Sequence, residues 1–199
     1  MMFKRRRMIK AITGGLVLCL LLSILGIYGQ AQGVRDSVVR LHILANSDST
    51  ADQTLKLKVR DAVIAAAADW PMVAADAEEA AALARERLPQ IQAVAQETVA
   101  AAGYDYPVTA KLADTYFTTR QYDTVTLPAG MYRAVQVTLG EGRGQNWWCV
   151  MYPPLCVGGA ANGSDVFTPS QQDFLQGQER YRVRFWLVEW VETFFQMFR

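Results

Sequence analysis

The side chains best suited to covalent chemistry in this 199-residue chain are its single histidine, His42, and the cysteine Cys149. A cysteine becomes a nucleophile when a base within hydrogen-bonding reach removes its proton. The residues around each of the two predict a β-strand, so the two side chains could be neighbours in a sheet. A triad also needs a third group that orients the base, and the sequence shows none. An exported cell-wall or peptide hydrolase that uses Cys149 and His42 is therefore an alternative function only.

Cys149 could instead have a structural role together with Cys156. Of the three cysteines, Cys19 lies in an apolar N-terminal segment, which leaves an even pair separated by a segment that contains Pro153 and Pro154. A chain that turns back at the prolines could bring the two thiols into disulfide geometry, and two free thiols are equally compatible with the spacing. We expect no metal site, because there is one histidine and no CxxC spacing.

Residues 140–156 combine three glycines, two tryptophans, two cysteines and a double proline. Asn146 to Tyr152 is rich in aromatic residues and predicts a strand, which the two prolines end. The glycines at 140, 142 and 144 predict a tight loop before that strand. The loop has no GK[ST] motif and no helix follows it, so it does not resemble a phosphate-binding loop. The run is either a core strand or a surface for a ligand or partner.

The N-terminus has the pattern of a secretory signal. Five basic side chains occur before residue 11, an apolar leucine-rich stretch follows over residues 11–28, and Gly29 and Ala31 are small enough for signal peptidase. We therefore expect residues 1–31 to be a signal peptide cleaved after Ala31 or an uncleaved membrane anchor. Residues 32–199 would form one domain outside the cytoplasm, according to the positive-inside rule. That domain has 15 basic and 19 acidic side chains, which argues against nucleic-acid binding.

Periodicity in the remainder predicts an α+β fold. Gly33 to Ala45 predicts a strand, Asp48 or Ser49 predicts a helix cap, and helices are expected over residues 51–69 and from Asp76. Pro89 either kinks this second helix or lies in the first turn of a third helix, Pro89 to Ala102. Further strands are expected over residues 106–112, 115–119, 123–127 and 131–139, the last in a hairpin with the aromatic strand. We predict an antiparallel sheet of about four or five strands, covered on one side by about three helices. An aromatic C-terminal helix within residues 179–199 should pack across the sheet or touch a membrane surface.

Three segments carry a family resemblance. Residues 34–63, including Leu41-His-Ile-Leu-Ala-Asn-Ser-Asp48, residues 127–156 and residues 183–190 resemble the stage II sporulation protein R family. The resemblance implies a signalling protein of endospore formation that is made in the forespore and exported into the space between forespore and mother cell. There it would activate a membrane-embedded aspartic protease, which processes the precursor of the mother-cell factor sigma E. It implies no enzymatic activity, no cofactor and no small-molecule substrate.

A signalling protein of this kind acts by binding, so we expect a polar partner surface near the start of the first domain helix and in the glycine loop. The candidate contacts are Asp48, Asp52, Gln53, Lys56, Arg60, Glu141, Arg143, Gln145, Asn146, Trp147 and Trp148. A helix cap at Asp48 and core packing at the tryptophans would explain those residues without a partner. A wall-binding module whose aromatic strand stacks on sugars is a further alternative.

Overall fold

The computed structural model describes residues 2–68, 74–122, 125–153, 167–176 and 188–189. The predicted α+β class is confirmed. The helices and strands of the described residues are, in chain order, α1 (Met2–Asp36), β1 (Val39–Leu44), α2 (Thr50–Ala68), α3 (Ala77–Ala101), β2 (Val108–Phe117), β3 (Arg120–Tyr122), β4 (Val125–Leu127), β5 (Gly130–Leu139), β6 (Asn146–Tyr152) and α4 (Pro169–Gln176).

The main sheet has four strands in the order β2-β5-β1-β6, and β3 and β4 form a separate two-stranded sheet. The prediction of an antiparallel sheet was wrong for one pair, because β1 and β5 are parallel. The pairs β1–β6 and β2–β5 are antiparallel. The sheet is therefore mixed, and β1 lies in its interior with both long edges paired.

The predicted hairpin between residues 131–139 and 146–152 was also wrong. Both strands exist, but β1 lies between them: Leu41 pairs with Val135 on one side and with Cys149 on the other. The glycine loop therefore has to span two strand spacings, roughly 9.6 Å, and passes over the end of β1. A turn rule considers only residues that are close in sequence, so it could not show that a third strand separates the two.

Helices α2 and α3 cover one face of the sheet. Leu55 and Val59 of α2 and Ile91 and Val99 of α3 pack on Leu41, Val135, Val137 and Cys149. Residues 77–101 form one continuous helix with Pro89 inside it, so of the two alternatives for Pro89 the third helix that would begin there is wrong. Asp76 caps this helix by accepting a hydrogen bond from the Glu79 N–H, as residue types at these positions predict.

The other face of the sheet has a second apolar cluster, which includes Phe117, Tyr132 and Val150 and is covered by Val34 of α1 and Phe174 of α4. Residues 33–36, predicted as strand, are helical and belong to α1. Of the predicted C-terminal helix, only Val188 and Glu189 belong to the described residues, and both are helical. Of the predicted loop 157–169, only residues 167–169 are described.

Candidate partner-binding surface

The glycine loop is fastened to the end of β1 by main-chain hydrogen bonds. The N–H groups of Arg143 and Gly144 donate to the carbonyl oxygens of Asn46 and Ala45, at 3.1 and 2.9 Å. The Glu141 N–H donates to Asn46 Oδ1 at 3.0 Å. These bonds fix a loop that connects two non-adjacent strands, so its side chains project from a defined backbone.

Two glycines make this close approach sterically possible. Gly140 has φ of 55°, in the left-handed region, and a Cβ there would overlap the side chain of Asn46. A Cβ on Gly144 would overlap the backbone carbonyl of Ser47. The glycines that the sequence singled out therefore serve backbone packing in this loop.

Asp52 holds the segment between β1 and α2, against which the glycine loop packs. Its carboxylate accepts hydrogen bonds from Ser47 Oγ at 2.5 Å and from Asn46 Nδ2 at 3.0 Å. Its backbone N–H donates to Ser49 Oγ at 3.1 Å, which confirms Ser49 as a cap of α2. Burial by itself raises the pKa of Asp52, but hydrogen bonds, first of all from Ser47, outweigh that effect and lower the pKa below its ordinary value. Asp52 is 3% exposed, so its role here is to hold the loop.

Lys56 and Gln53 extend this network to the glycine loop. Lys56 Nζ donates to the carbonyl oxygen of Gln145 at 2.9 Å and to Gln53 Oε1 at 2.6 Å. Asp48 Oδ1 accepts a hydrogen bond from the Gln145 N–H at 2.7 Å. Burial lowers the pKa of Lys56, and the nearby charge of Asp48 opposes that shift. Lys56 is 5% exposed, so it too stabilises the loop from within.

Above this network lie five exposed side chains that form what we call the loop surface: Asp48, Glu141, Arg143, Gln145 and Asn146. Arg143 and Glu141 form an ion pair at 3.1 Å in which both side chains are largely exposed. Such a pair contributes little to stability, so its charges are free for another role. The prediction that this surface meets a partner stays a prediction.

Three of the candidate contacts lie beside or away from the loop surface. Arg60 lies over the ring of Trp147, with Cζ 5.4 Å from the ring centroid, and both are half-buried on the helix-covered side. Trp148 points to the opposite face, where Arg120 lies 4.3 Å from its centroid. The structure therefore brings the other candidates together around the glycine loop and the start of α2, with Arg60 and Trp147 beside them and Trp148 on the opposite face.

A group that sequence reasoning missed is Arg40, the second residue of β1, which is 0% exposed. Its guanidinium carbon lies 3.9 Å from the centroid of Phe117 and 4.9 Å from that of Tyr132. Arg40 also donates a hydrogen bond to the hydroxyl of Tyr122. Burial lowers the pKa of Arg40, opposed by its interactions with Tyr122 and Tyr132. The signal that could have identified Arg40 is a charged residue within a strand that is covered on both faces.

His42 and Cys149 do not form a catalytic pair. In the β1–β6 ladder Cys149 is opposite Leu41 and His42 is opposite Trp148, so the two side chains point to opposite faces of the sheet. His42 Nε2 is 2.8 Å from Asn146 Oδ1, and burial lowers the pKa of the imidazole. Cys149 is disulfide-bonded. Its predicted partner, Cys156, lies outside the described residues, so this pairing stays a prediction.

A cleft of about 420 Å³ lies at the end of the sheet remote from the loop surface. Its charged lining residues are Arg35, Asp36, Glu78, Asp114 and Arg133. Arg133 and Glu78 neutralise each other in a 2.5 Å ion pair. Within the described ranges, no cluster of His, Cys, Asp or Glu could hold a metal ion.

Comparison with known proteins gives two matches. A protein family described as stage II sporulation protein R matches residues 35–162. The chain is also 34% identical to the stage II sporulation protein R of Bacillus subtilis (strain 168), in an alignment of 186 residues that covers 81% of this chain and 83% of that protein. No solved structure matches the chain. The match over residues 35–162 contains every strand of the main sheet and the whole loop surface.

Proposed function

Because the chain belongs to the stage II sporulation protein R family, we propose that it is an exported signal of endospore formation that activates a membrane-embedded aspartic protease. The forespore makes the protein and exports it into the space between forespore and mother cell. The protease, in the mother-cell membrane, then processes the precursor of sigma E. The family match across the whole sheet is the observation that carries this proposal.

The N-terminus supports the export step. Helix α1 contains an apolar window long enough to cross a membrane, and the basic residues Lys4 to Lys10 precede or begin it. Basic residues stay on the cytoplasmic side, so residues after the window are delivered to the other side. Export of the domain puts it where a partner in a facing membrane is within reach.

Activation would come from binding. A ligand shifts an equilibrium between inactive and active protease only by the difference in its affinity for the two states. The loop surface suits such a ligand, because Asn46, Asp52 and Lys56 hold the loop backbone in place before the partner arrives. A pre-organised loop loses little conformational entropy on binding.

The hydrolase alternative has no geometric support in this structure. An activated thiol needs its base within hydrogen-bonding reach, and β1 and β6 direct His42 and Cys149 to opposite faces. The disulfide at Cys149 also removes the nucleophile.

Charge reversal on the loop surface tests the proposal. We expect Glu141→Arg and Arg143→Glu to leave stability within about 0.5 kcal/mol, because both side chains are exposed. Each should weaken co-purification with the extracytoplasmic part of the protease by roughly tenfold and reduce sigma E processing in parallel.

The matched controls are Arg85→Glu and Glu86→Arg, exposed residues of α3. They change the net charge equally and should leave both readouts unchanged. Full binding and processing by the loop variants would exclude this surface. Failure of the wild-type protein to bind or to trigger the protease would overturn the proposed function itself.

A further inference from the structure

Helix α1 does not end at the predicted cleavage position. It runs without interruption from Met2 to Asp36, so the peptide bond after Ala31 lies inside the helix. Ala31 and Val34 are both 0% exposed and pack in the cluster that contains Phe174 and Leu175 of α4. Ile27, upstream of the bond, packs against the same cluster. Residues on both sides of the bond therefore belong to the core of the domain.

Arg35 fastens this end of α1 to the sheet. Its Nη1 donates to the carbonyl oxygen of Ala129 at 2.7 Å, and its Nη2 donates to Gln32 Oε1 at 2.8 Å. Its guanidinium carbon is 5.1 Å from the ring centroid of Tyr28, another residue upstream of Ala31. At Gly130 a Cβ would be 2.5 Å from Arg35 Nη1, so the glycine leaves room for this contact. Cleavage after Ala31 would remove Tyr28 and leave five residues of α1, too few for a stable helix.

The preceding part of α1 has no cover in the described structure. Ten of its large apolar side chains from Met8 to Leu25 are exposed, with values from 50% at Ile9 to 66% at Leu16. Residues 8–25 extend over about 27 Å at 1.5 Å per residue, close to the roughly 30 Å hydrocarbon thickness of a bilayer. A soluble monomer rarely exposes a contiguous apolar surface of this size. A lipid bilayer matches the length of this apolar segment and the basic residues at one end of it.

We propose that the leader is retained, and that α1 is a membrane anchor whose last turns, residues 27–36, form part of the folded domain. The compartment in which it acts rests on the proposed function above. A peptidase needs an accessible, opened segment, and here the segment is helical and packed. The signal would then be a tethered one that does not diffuse away from the membrane that exported it.

The tether joins the domain at one end of the sheet. Strands β1 and β5 both begin at the end of the sheet where α1 joins and run toward the loop surface. A ten-residue strand such as β5 spans about 33 Å. The end of α1 that joins the domain and the loop surface therefore lie at opposite ends of the sheet.

The test measures the mass and location of the full-length chain, carrying a C-terminal tag, in the sporulating bacterium. We expect an intact mass that includes residues 1–31, and recovery in the membrane pellet after carbonate extraction. A chain that begins at Gln32 in the soluble fraction would overturn the proposal.

Gly29→Leu provides a control that leaves the fold intact, because a Cβ at Gly29 has no neighbour within 4 Å. It replaces a small residue that signal peptidase requires, so the variant cannot be cut after Ala31. The variant and the wild type should differ only by the mass of the substitution. If the variant is instead larger by the whole leader, the wild type is cleaved and the proposal is wrong.

Insertion of a ten-residue Gly/Ser linker after Ala31 frees the same site from the helix. This chain should be cut and released, which would show that the peptidase is present. An uncut chain would mean that packing does not protect the site, and would overturn the argument that packing prevents cleavage. Processing of sigma E is recorded separately. A cleaved wild type that still triggers processing refutes the anchor alone, whereas an anchored chain that triggers none refutes the proposed function.

Discussion

Leu41 and Cys149 are paired across the β1–β6 ladder, and this pairing directs the Cys149 side chain into the core beneath α2 and α3. The next residue of β1, His42, consequently faces the other side, against Phe117 and Trp148. Because side chains alternate along a strand, a register shift of one residue would have placed the imidazole and the sulfur on one face. The register therefore decides against a thiol–imidazole pair, and the disulfide gives Cys149 a structural role.

This assignment predicts how the cysteines react. In denaturant without reductant, an alkylating reagent should label Cys19, which is free, and should spare Cys149 until the chain is reduced. Cys149→Ser should lower the free energy of unfolding by about 2–4 kcal/mol, because the disulfide constrains the unfolded chain. Cys156→Ser should cause the same loss, and the double variant no more, if the two are bonded to each other. Labelling of Cys149 together with Cys19 before reduction would contradict the assignment.

Asp52 should make stability depend on pH. Its pKa in the folded protein is lower than the ordinary value of 3.8, so its contribution is complete well above that pH and is lost as the pH falls through 3.8 toward the folded pKa. We expect Asp52→Asn to cost roughly 1–3 kcal/mol at pH 7, and the difference from wild type to shrink between pH 5 and pH 3. Urea unfolding at several pH values measures it.

Asp61→Asn is the control for this experiment, since Asp61 has a side chain that is 65% exposed and an ion pair with the adjacent Arg60. Its loss should stay below about 0.5 kcal/mol at every pH. An Asp52→Asn variant as stable as the wild type at pH 7 would show that the carboxylate does not hold the loop.

The sequence predicts elements well where local pattern decides. The helix expected over residues 51–69 is α2, at Thr50–Ala68, and the strand expected over residues 131–139 is β5, at Gly130–Leu139. Prediction from the sequence fails where the arrangement of strands depends on residues that are distant in the sequence. No local rule shows that β1 separates β5 from β6, because that arrangement brings Leu41 between Val135 and Cys149.

The candidate surface, too, was predicted correctly only in part. Charged and polar residues around the helix start and the glycine loop were predicted to be exposed together, and Asp48, Glu141 and Arg143 are. Asp52 and Lys56 are buried, because the glycine loop covers them in the folded domain. Lys56 donates a hydrogen bond to Gln145, which is 89 residues away in the sequence, and residue type alone does not predict a contact between such distant positions.

Arg40 should tolerate an apolar replacement better than truncation. Its flat guanidinium fills space among Phe117, Tyr132 and Tyr122, so its shape stabilises the cluster while its buried charge has a desolvation cost. We expect Arg40→Met to stay within about 1.5 kcal/mol of wild type and Arg40→Ala to lose roughly 2–5 kcal/mol. Thermal or urea unfolding of both variants measures the difference. Equal losses would mean that the charge, and not the packing, is what the cluster requires.

Gly144 should be the most sensitive position of the glycine loop to a single added methyl group. A Cβ there would meet the Ser47 carbonyl, which is backbone and cannot rotate away, so Gly144→Ala must displace the loop from the end of β1. The Gly144 N–H bond to Ala45 and the neighbouring Arg143 bond to Asn46 would be lost together. We expect a loss of about 2–3 kcal/mol in the free energy of unfolding, measured by urea denaturation.

Gly103→Ala separates this steric effect from the general cost of replacing a glycine. Gly103 has φ of 84° at the end of α3, and a Cβ there has no neighbour within 4 Å, so the variant should lose only about 1 kcal/mol of backbone strain. If the proposed function is right, the two variants should also differ in binding to the protease. Gly144→Ala moves Arg143 and Gln145 and should weaken it, whereas Gly103→Ala leaves the loop surface in place. Equal stability losses in both variants, with binding unchanged, would show that the loop does not depend on its contact with Ser47.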